Sequence, residues 1–369
     1  MDTDVALTTG DAQASTSTAR PTMKAVVYRG PGVKEWTDVP RARLREAGDA
    51  VVRVDAVTIC GTDLHILKGD VPEVEPGRIL GHEAVGTITE VGSGVTQRRV
   101  GDRVLVSCIS SCGTCRFCRD RQPGQCLGGG GWILGHLIDG TQAEYVRVPF
   151  ADTSTYVVPE HCTDEEVLML ADIGPTGYEV GALNGRVRPA DVVVVVGAGP
   201  VGLAAMMGAR LFSPTHVIAV DVAGSRLEAA KKFGADILVD SSVASPEVAV
   251  HRATAGLGAD VVIEAVGLPE TFELCTRLVR AGGHVANVGV HGRPATLHLE
   301  ELWIKNVTIT TGLVDATSTP VLLALLENHQ IDLGSLVTHR LALDDVLTGY
   351  DLFARAAETG ALKVVMSGA

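Results

Sequence analysis

Residues 191–212 read DVVVVVGAGPVGLAAMMGARLF, an unbroken apolar run that stops on glycines and resumes as an apolar helical segment. Five consecutive valines suit a strand covered on both faces, as in a parallel sheet. Gly197, Gly199 and Gly202 stand in G-x-G-x-x-G spacing. Between a strand and a helix, the first glycine permits the turn and the second lets backbone approach a pyrophosphate. The third lets helix pack on strand, and the helix N-terminus faces the phosphates. Pro200 and Val201 open that helix, proline being suited to a first helical position. Asp221 closes the next apolar run, HVIAVD at 216–221. A carboxylate about 20 residues after the loop bonds the adenosine ribose hydroxyls and repels a 2′-phosphate, so NAD rather than NADP is the expected cofactor. Arg226 is a second candidate for the ribose, an exposed helix arginine being the plain alternative.

Working outward, further apolar runs follow at 237–240, 260–267, 284–290 and 307–313. Between them lie segments such as SRLEAAKKFGA and PETFELCTRLVRAGG, with apolar residues three and four apart and a glycine stop. Six buried strands with helical crossovers predict an α/β fold, a doubly wound parallel sheet spanning 174–314. Ligands bind at the carboxyl ends of such strands. Val266, Val288, Gly289, Val290 and Leu313 stand at those ends and are candidate cofactor contacts.

The chain before residue 174 differs. MKAVVYRG, AVVRVDAVTIC, GTITEVG and DRVLVS are short β-branched runs separated by turn residues, predicting a small barrel-like β domain over 23–173. Residues 315–369 hold two helical segments and a closing strand, LKVVM, expected to return to that first domain. Residues 1–22, rich in Ser, Thr and Ala, are expected to form a disordered tail. They have neither the basic start nor the apolar stretch of a secretory signal.

With 369 residues the chain is long enough for two domains. A net charge of −13 disfavours nucleic acid and anionic membrane as partners, since both reward clustered Lys and Arg. No apolar run reaches the roughly 18–20 residues of a membrane span. A cytoplasmic location is expected.

Five of the eight cysteines fall between Cys108 and Cys126. Cys112, Cys115, Cys118 and Cys126 have the spacing of a closed tetrahedral zinc site, which has no vacancy for substrate and serves to fold the lobe 108–126. An iron–sulfur cluster or two disulfides are the alternatives. Cys108, Cys162 and Cys275 read as buried thiols. Elsewhere, Cys60 stands where a strand run meets CGTDLHILKG, and His82 and Glu83 are adjacent in GHEAVGTITEVGSGV.

That last stretch, GHE-x2-G-x5-G-x2-V from Gly81 to Val95, resembles the signature of zinc-containing medium-chain alcohol dehydrogenases. The four-cysteine lobe and the order of strands resemble that family too, over essentially all of 23–366. The resemblance implies a GroES-like β-barrel catalytic domain beside a Rossmann cofactor domain, two Zn2+ per subunit, and NAD. It implies that Cys60 and His82 hold the catalytic zinc. It further implies that Asp172 is the third ligand, as in the bacterial secondary-alcohol branch, with Glu83 beside the metal or exchanging as a fourth ligand. One thiolate, one imidazole and one carboxylate leave tetrahedral zinc one open position.

In relatives a hydroxyl at the position of Thr62 takes the alcohol proton and a His at that of His65 ends the relay. Thr176 and Lys363 match residues at the cofactor, and Trp132 matches a pocket tryptophan, with Leu313 and Val314 near the nicotinamide. Gly61 lacks the basic residue that some relatives place at the pyrophosphate. The implied activity is reversible oxidation of small alcohols to aldehydes or ketones by a homodimer or homotetramer. A polyol or amino-alcohol dehydrogenase and a non-catalytic NAD-binding scaffold are the alternatives.

Overall fold

The structure, a computed structural model, describes residues 21–368. The expected tail therefore lies outside the described residues up to position 20. The first strand begins at Thr22, one residue earlier than anticipated.

Six strands form one wholly parallel sheet: β8 (Val192–Val196), β9 (His216–Asp221), β10 (Ile237–Asp240), β11 (Ala259–Glu264), β12 (Val279–Asn287) and β13 (Thr308–Thr311). Their spatial order is β10-β9-β8-β11-β12-β13, with the topological switch between β8 and β11. The valines of β8 feed two cores: Val193 and Val195 face one, Val194 and Val196 the other. Apolar cover on both sides is what makes a continuous valine run stable here.

The second sheet is built of β3 (Ala50–Thr58), β4 (Ala84–Val91), β5 (Arg103–Val106), β6 (Tyr145–Val148), β7 (Thr155–Val157), β14 (Val337–Ala342) and β15 (Lys363–Ser367). Its order is β14-β15-β3-β4-β5-β7, with β6 also paired to β3. A separate hairpin joins β1 (Thr22–Gly30) to β2 (Val33–Pro40). The last strand, β15, runs antiparallel to β3, pairing Val365 with Thr58. Residues after β13 thus complete the sheet begun near the N-terminus. One core contains Ala56, Val85 and Leu105 from this sheet together with Val193, Val195 and Ile263 from the parallel one. Contact between the two sheets is therefore continuous apolar packing.

Candidate active site

The glycine loop shows why each glycine is needed. Gly197 has φ +98°, and a Cβ there would meet Val266 Cγ2 at 2.6 Å. A Cβ on Gly202 would lie 1.9 Å from the Gly197 carbonyl oxygen, so the helix Pro200–Arg210 can approach the strand only without one. Gly199 is different: a Cβ there meets nothing within 4 Å. Its bare backbone opens onto space, as approach by a diphosphate requires. Asp221 is buried at 7 % exposure and accepts from Ala198 N at 2.7 Å and Ala223 N at 2.8 Å. Its carboxylate thus ties the glycine loop to the turn after β9. Arg226 lies in the first turn of the helix Gly224–Lys232, and its Nε has no partner among the described residues. Val266 and Val290 are partly exposed, at 40 % and 51 %, where the loops after β11 and β12 cross. Gly289 enables that crossing, since a Cβ there would lie 2.2 Å from Gly267 N. Val288 packs beneath, against the core.

Four side chains from three separate segments of the chain converge. Ligand atoms of Cys60, His82, Glu83 and Asp172 all lie within 4.8 Å of one another. Cys60 follows β3 and is the N-cap of the helix Gly61–Lys68. His82 and Glu83 lead into β4, and Asp172 precedes the short helix Ile173–Thr176. Asp172 Oδ2 lies 3.2 Å from His82 Nε2 and 3.5 Å from Cys60 Sγ. Its other oxygen accepts from Thr176 Oγ1 at 2.8 Å and from the Cys108 thiol at 3.6 Å. Thr176, expected at the cofactor, therefore directs its hydroxyl to Asp172.

The electrostatics fit a cation. Burial works against the Asp172 charge, but bonds from His82 and Thr176 outweigh it and hold the carboxyl below its usual range. Burial and the Asp172 carboxylate push the Cys60 thiol up. Burial also raises Glu83 despite the neighbouring Lys363 ammonium, and Glu83 Oε1 is buried without a hydrogen-bond partner among the described residues. A soft thiolate, an imidazole and carboxylates, one with an unsatisfied oxygen, are a donor set suited to Zn2+.

Lys363 departs from the expected cofactor contact. Its ammonium donates to Glu83 Oε2 at 2.6 Å and to the Ile59 carbonyl at 3.3 Å, and the side chain is 1 % exposed. Burial opposes its charge, yet Glu83, Cys60 and Asp172 hold its pKa above the usual lysine value. Strand β15 delivers it to the four-residue cluster, where Glu83 supplies its counter-charge.

Thr62 Oγ1 lies 3.8 Å from Cys60 Sγ. It does not cap its helix, because Asp63 Oδ2 takes the Cys60 N–H at 2.9 Å. His65 Nδ1 is 2.8 Å from Asp70 Oδ2. Gly69, with φ +85°, turns the chain so that Asp70 folds back over that helix. A Cβ on Gly292 would lie 3.3 Å from Asp70, so the pair sits against the loop that follows β12. Trp132 presents its ring to His82 edge-on, with centroids 6.2 Å apart, and stacks on His136 at 4.2 Å. Leu313 is 43 % exposed beside buried Val314.

Behind the cluster lies a network that sequence reading missed. Asp63, 1 % exposed, accepts from Gln142 Nε2 at 3.0 Å, and Gln142 Oε1 accepts from Tyr350 at 2.7 Å. The three-residue offset of Asp63 from Cys60 is a legible capping signal. Nothing local marks Gln142 or Tyr350.

In the cysteine lobe, the sulfurs of Cys112, Cys115, Cys118 and Cys126 lie within 4.8 Å of one another, and none is in a disulfide. Cys112 and Cys118 Sγ are 3.8 Å apart, and a tetrahedron with zinc–sulfur bonds of about 2.3 Å has edges of about 3.8 Å. Backbone N–H groups of Cys115, Cys118 and Leu127 point at sulfur, at 3.4–3.5 Å. Burial opposes ionisation of Cys112, but N–H groups of Thr114 and Cys115 pull it down to about 6. Burial prevails at Cys118, pushed up to about 11. Cys108, Cys162 and Cys275 are buried free thiols.

Known proteins resemble this chain over nearly its whole length. Residues 46–160 match the family model of the alcohol dehydrogenase GroES-like domain, and residues 200–328 that of the zinc-binding dehydrogenases. An alcohol dehydrogenase of Cupriavidus necator is 39 % identical over 363 residues, covering 93 % of this chain and 98 % of that protein. Among solved structures, zinc dependent alcohol dehydrogenase 2 from Streptococcus pneumonia (apo form) is 46 % identical with a TM-score of 0.89, covering 94 % of this chain and 98 % of that one. Alcohol dehydrogenase TADH from Thermus sp. ATN1 is 36 % identical with a TM-score of 0.87, covering 94 % and 100 %. With full-length likeness and a thiol–imidazole–carboxylate cluster, the chain belongs to the zinc-containing medium-chain alcohol dehydrogenases.

Proposed function

We propose that this chain oxidises primary or secondary alcohols reversibly with NAD, at a site built on Cys60, His82 and Asp172 with Glu83 beside them. The convergence of those four side chains within 4.8 Å carries the reading. When bound, Zn2+ supplies a Lewis acid that acidifies the alcohol, and nicotinamide supplies the two-electron acceptor.

The chain's own residues do the rest. Thr62 Oγ1, beside Cys60, is placed to take the alcohol proton. The bond from His65 Nδ1 to Asp70 makes Nδ1 the donor and leaves Nε2 free to accept the relayed proton near the cleft. Trp132, edge-on to His82, and Leu313 wall the substrate and exclude water. Gly199 and the helix behind it receive the diphosphate, and Asp221 keeps lone pairs for ribose hydroxyls while its charge opposes a 2′-phosphate. The four-cysteine lobe holds the second zinc. A cytoplasmic homo-oligomer, as the family likeness implies, belongs to the same reading; no helix among the described residues is long and apolar enough to cross a membrane.

The test pairs metal analysis with turnover. The purified protein is expected to hold two zinc ions per subunit and to form NADH with a simple secondary alcohol. Cys60→Ser should lose one zinc and all turnover. Full metal retention in Cys60→Ser, or absence of NADH formation by the zinc-loaded protein, rejects the site.

A further inference from the structure

The four-cysteine lobe touches the loop that carries the pocket wall. Gly124, between Cys118 and Cys126, donates its N–H to Asp315 Oδ1 at 2.9 Å. It has no room for a side chain: a Cβ would lie 2.8 Å from the Val314 carbonyl oxygen and 3.5 Å from Leu313 Cδ2. From the opposite side the same loop is held by Glu179, 9 % exposed, in the π-helical stretch Gly177–Leu183. Glu179 accepts from Asp315 N at 2.9 Å, Ala316 N at 3.0 Å and Ser318 N at 2.6 Å. Tyr156 adds a bond to the Ala316 carbonyl at 3.1 Å, and Ala316 has φ +54°, a left-handed conformation that persists only when its surroundings enforce it. Val314 packs with Cys108, Ile109 and Val180, and Trp132 packs against that cluster. Cys108 in turn donates to Asp172.

The two holds differ in what they fix. Glu179 takes N–H groups of residues 315–318 only. Leu313 and Val314, which lie before that stretch, are bounded by Gly124 of the lobe and by the apolar cluster. Within the lobe, backbone N–H groups bond to sulfur and the four thiols stand close enough to share a metal.

We propose that Asp315 is a positioning residue through which the four-cysteine lobe sets the substrate wall at Leu313 and Val314, giving the lobe a part in alcohol selectivity as well as in folding. This rests on the reading of Leu313 as pocket wall, so the test includes Leu313 itself.

The experiment measures kcat and KM of the zinc-loaded holoenzyme for secondary alcohols of increasing chain length, with NAD saturating. Asp315→Ala is expected to raise KM for the longer alcohols on the order of five-fold, the effect of one hydrogen bond. Its kcat should stay within about twofold and both zinc ions should remain, whereas a purely structural role would move melting temperature alone. Asp315→Asn keeps the Oδ1 acceptor and should restore the parent KM. Gly124→Ala forces the wall from the lobe side and should alter the same chain-length preference, which also covers the case of a poorly folding Asp315→Ala. Leu313→Ala should shift that preference as the reference. If Leu313→Ala shifts it while Asp315→Ala and Gly124→Ala do not, the link through the lobe is overturned and the pocket wall stands. If Leu313→Ala leaves it unchanged, the pocket wall falls and this inference with it. Damage by Asp315→Asn equal to that by Asp315→Ala also overturns it, because charge rather than the accepted hydrogen bond would then matter.

Discussion

Lys363 and Glu83, 280 residues apart, form an ion pair of 2.6 Å with each side chain 1 % exposed, directly beneath the cysteine, histidine and aspartate of the candidate metal site. Removing one partner of such a pair strands a charge in the interior, at a cost of roughly 3–5 kcal/mol. Lys363→Met should therefore lower the denaturation midpoint strongly, and the double change Lys363→Met with Glu83→Gln should recover much of the loss. A Lys363→Met midpoint equal to the parent's would show that the pair contributes nothing to stability. Chemical denaturation of the three proteins decides it.

Asp221 accepts two backbone N–H groups and lies where an adenosine ribose is expected. Asp221→Asn replaces one accepting oxygen by an NH2 group and removes the charge that repels a 2′-phosphate. Catalytic efficiency with NAD should fall about tenfold and that with NADP should rise, narrowing the ratio. Efficiencies with the two dinucleotides, before and after substitution, are the measurement.

Proton release should accompany zinc uptake by the cysteine lobe, since thiolates are the ligands. Against burial, backbone N–H groups pull Cys112 down to about 6, whereas burial pushes Cys118 up to about 11. At neutral pH Cys112 is already largely ionised and Cys118 still carries its proton. Zinc binding must expel that proton, so affinity should rise with pH above neutrality. A titration in weak buffer reads the released acid directly, and in Cys118→Ser the release should shrink with the loss of zinc.

Tyr350 donates to Gln142, which bonds to Asp63 behind Cys60. Tyr350→Phe leaves the Gln142 carbonyl oxygen buried and unpaired, which costs about 1–3 kcal/mol. The melting temperature should drop by several degrees while zinc content stays at the parent value. Differential scanning calorimetry with metal analysis tests both halves.

Much of the parallel sheet was legible because its strands are continuous apolar runs ending in glycines or an aspartate, and each signal lies within a few residues. The cysteine lobe was legible for the same reason. Strand β2, VKEWTDVP, and strand β14, VTHRLA, were not anticipated. Both are half exposed and mix charged with apolar residues, so pairing with β1 and β15 rather than intrinsic pattern makes them strands. At the site, Cys60, His82 and Asp172 were reachable only through family likeness, because their proximity depends on three separate segments. In sequence Lys363 reads only as a match to a cofactor residue, and its bond to Glu83 spans 280 residues. A lysine in an apolar strand shows that it needs a counter-charge, but not that Glu83 supplies it. The Gln142–Tyr350 bond spans 208 residues and leaves no trace in local sequence.

The antiparallel pairing of β15 with β3 also sets an order of events during synthesis. Residues 192–311, a contiguous segment, hold every strand of the parallel sheet and leave the ribosome well before β15 does. The segment bearing Cys60, His82 and Glu83 emerges earlier still, yet the Lys363 ammonium that faces Glu83 arrives only with β15, after the whole parallel sheet. A chain stopped before β15 would therefore carry the nucleotide fold beside an acidic cluster that lacks its counter-charge.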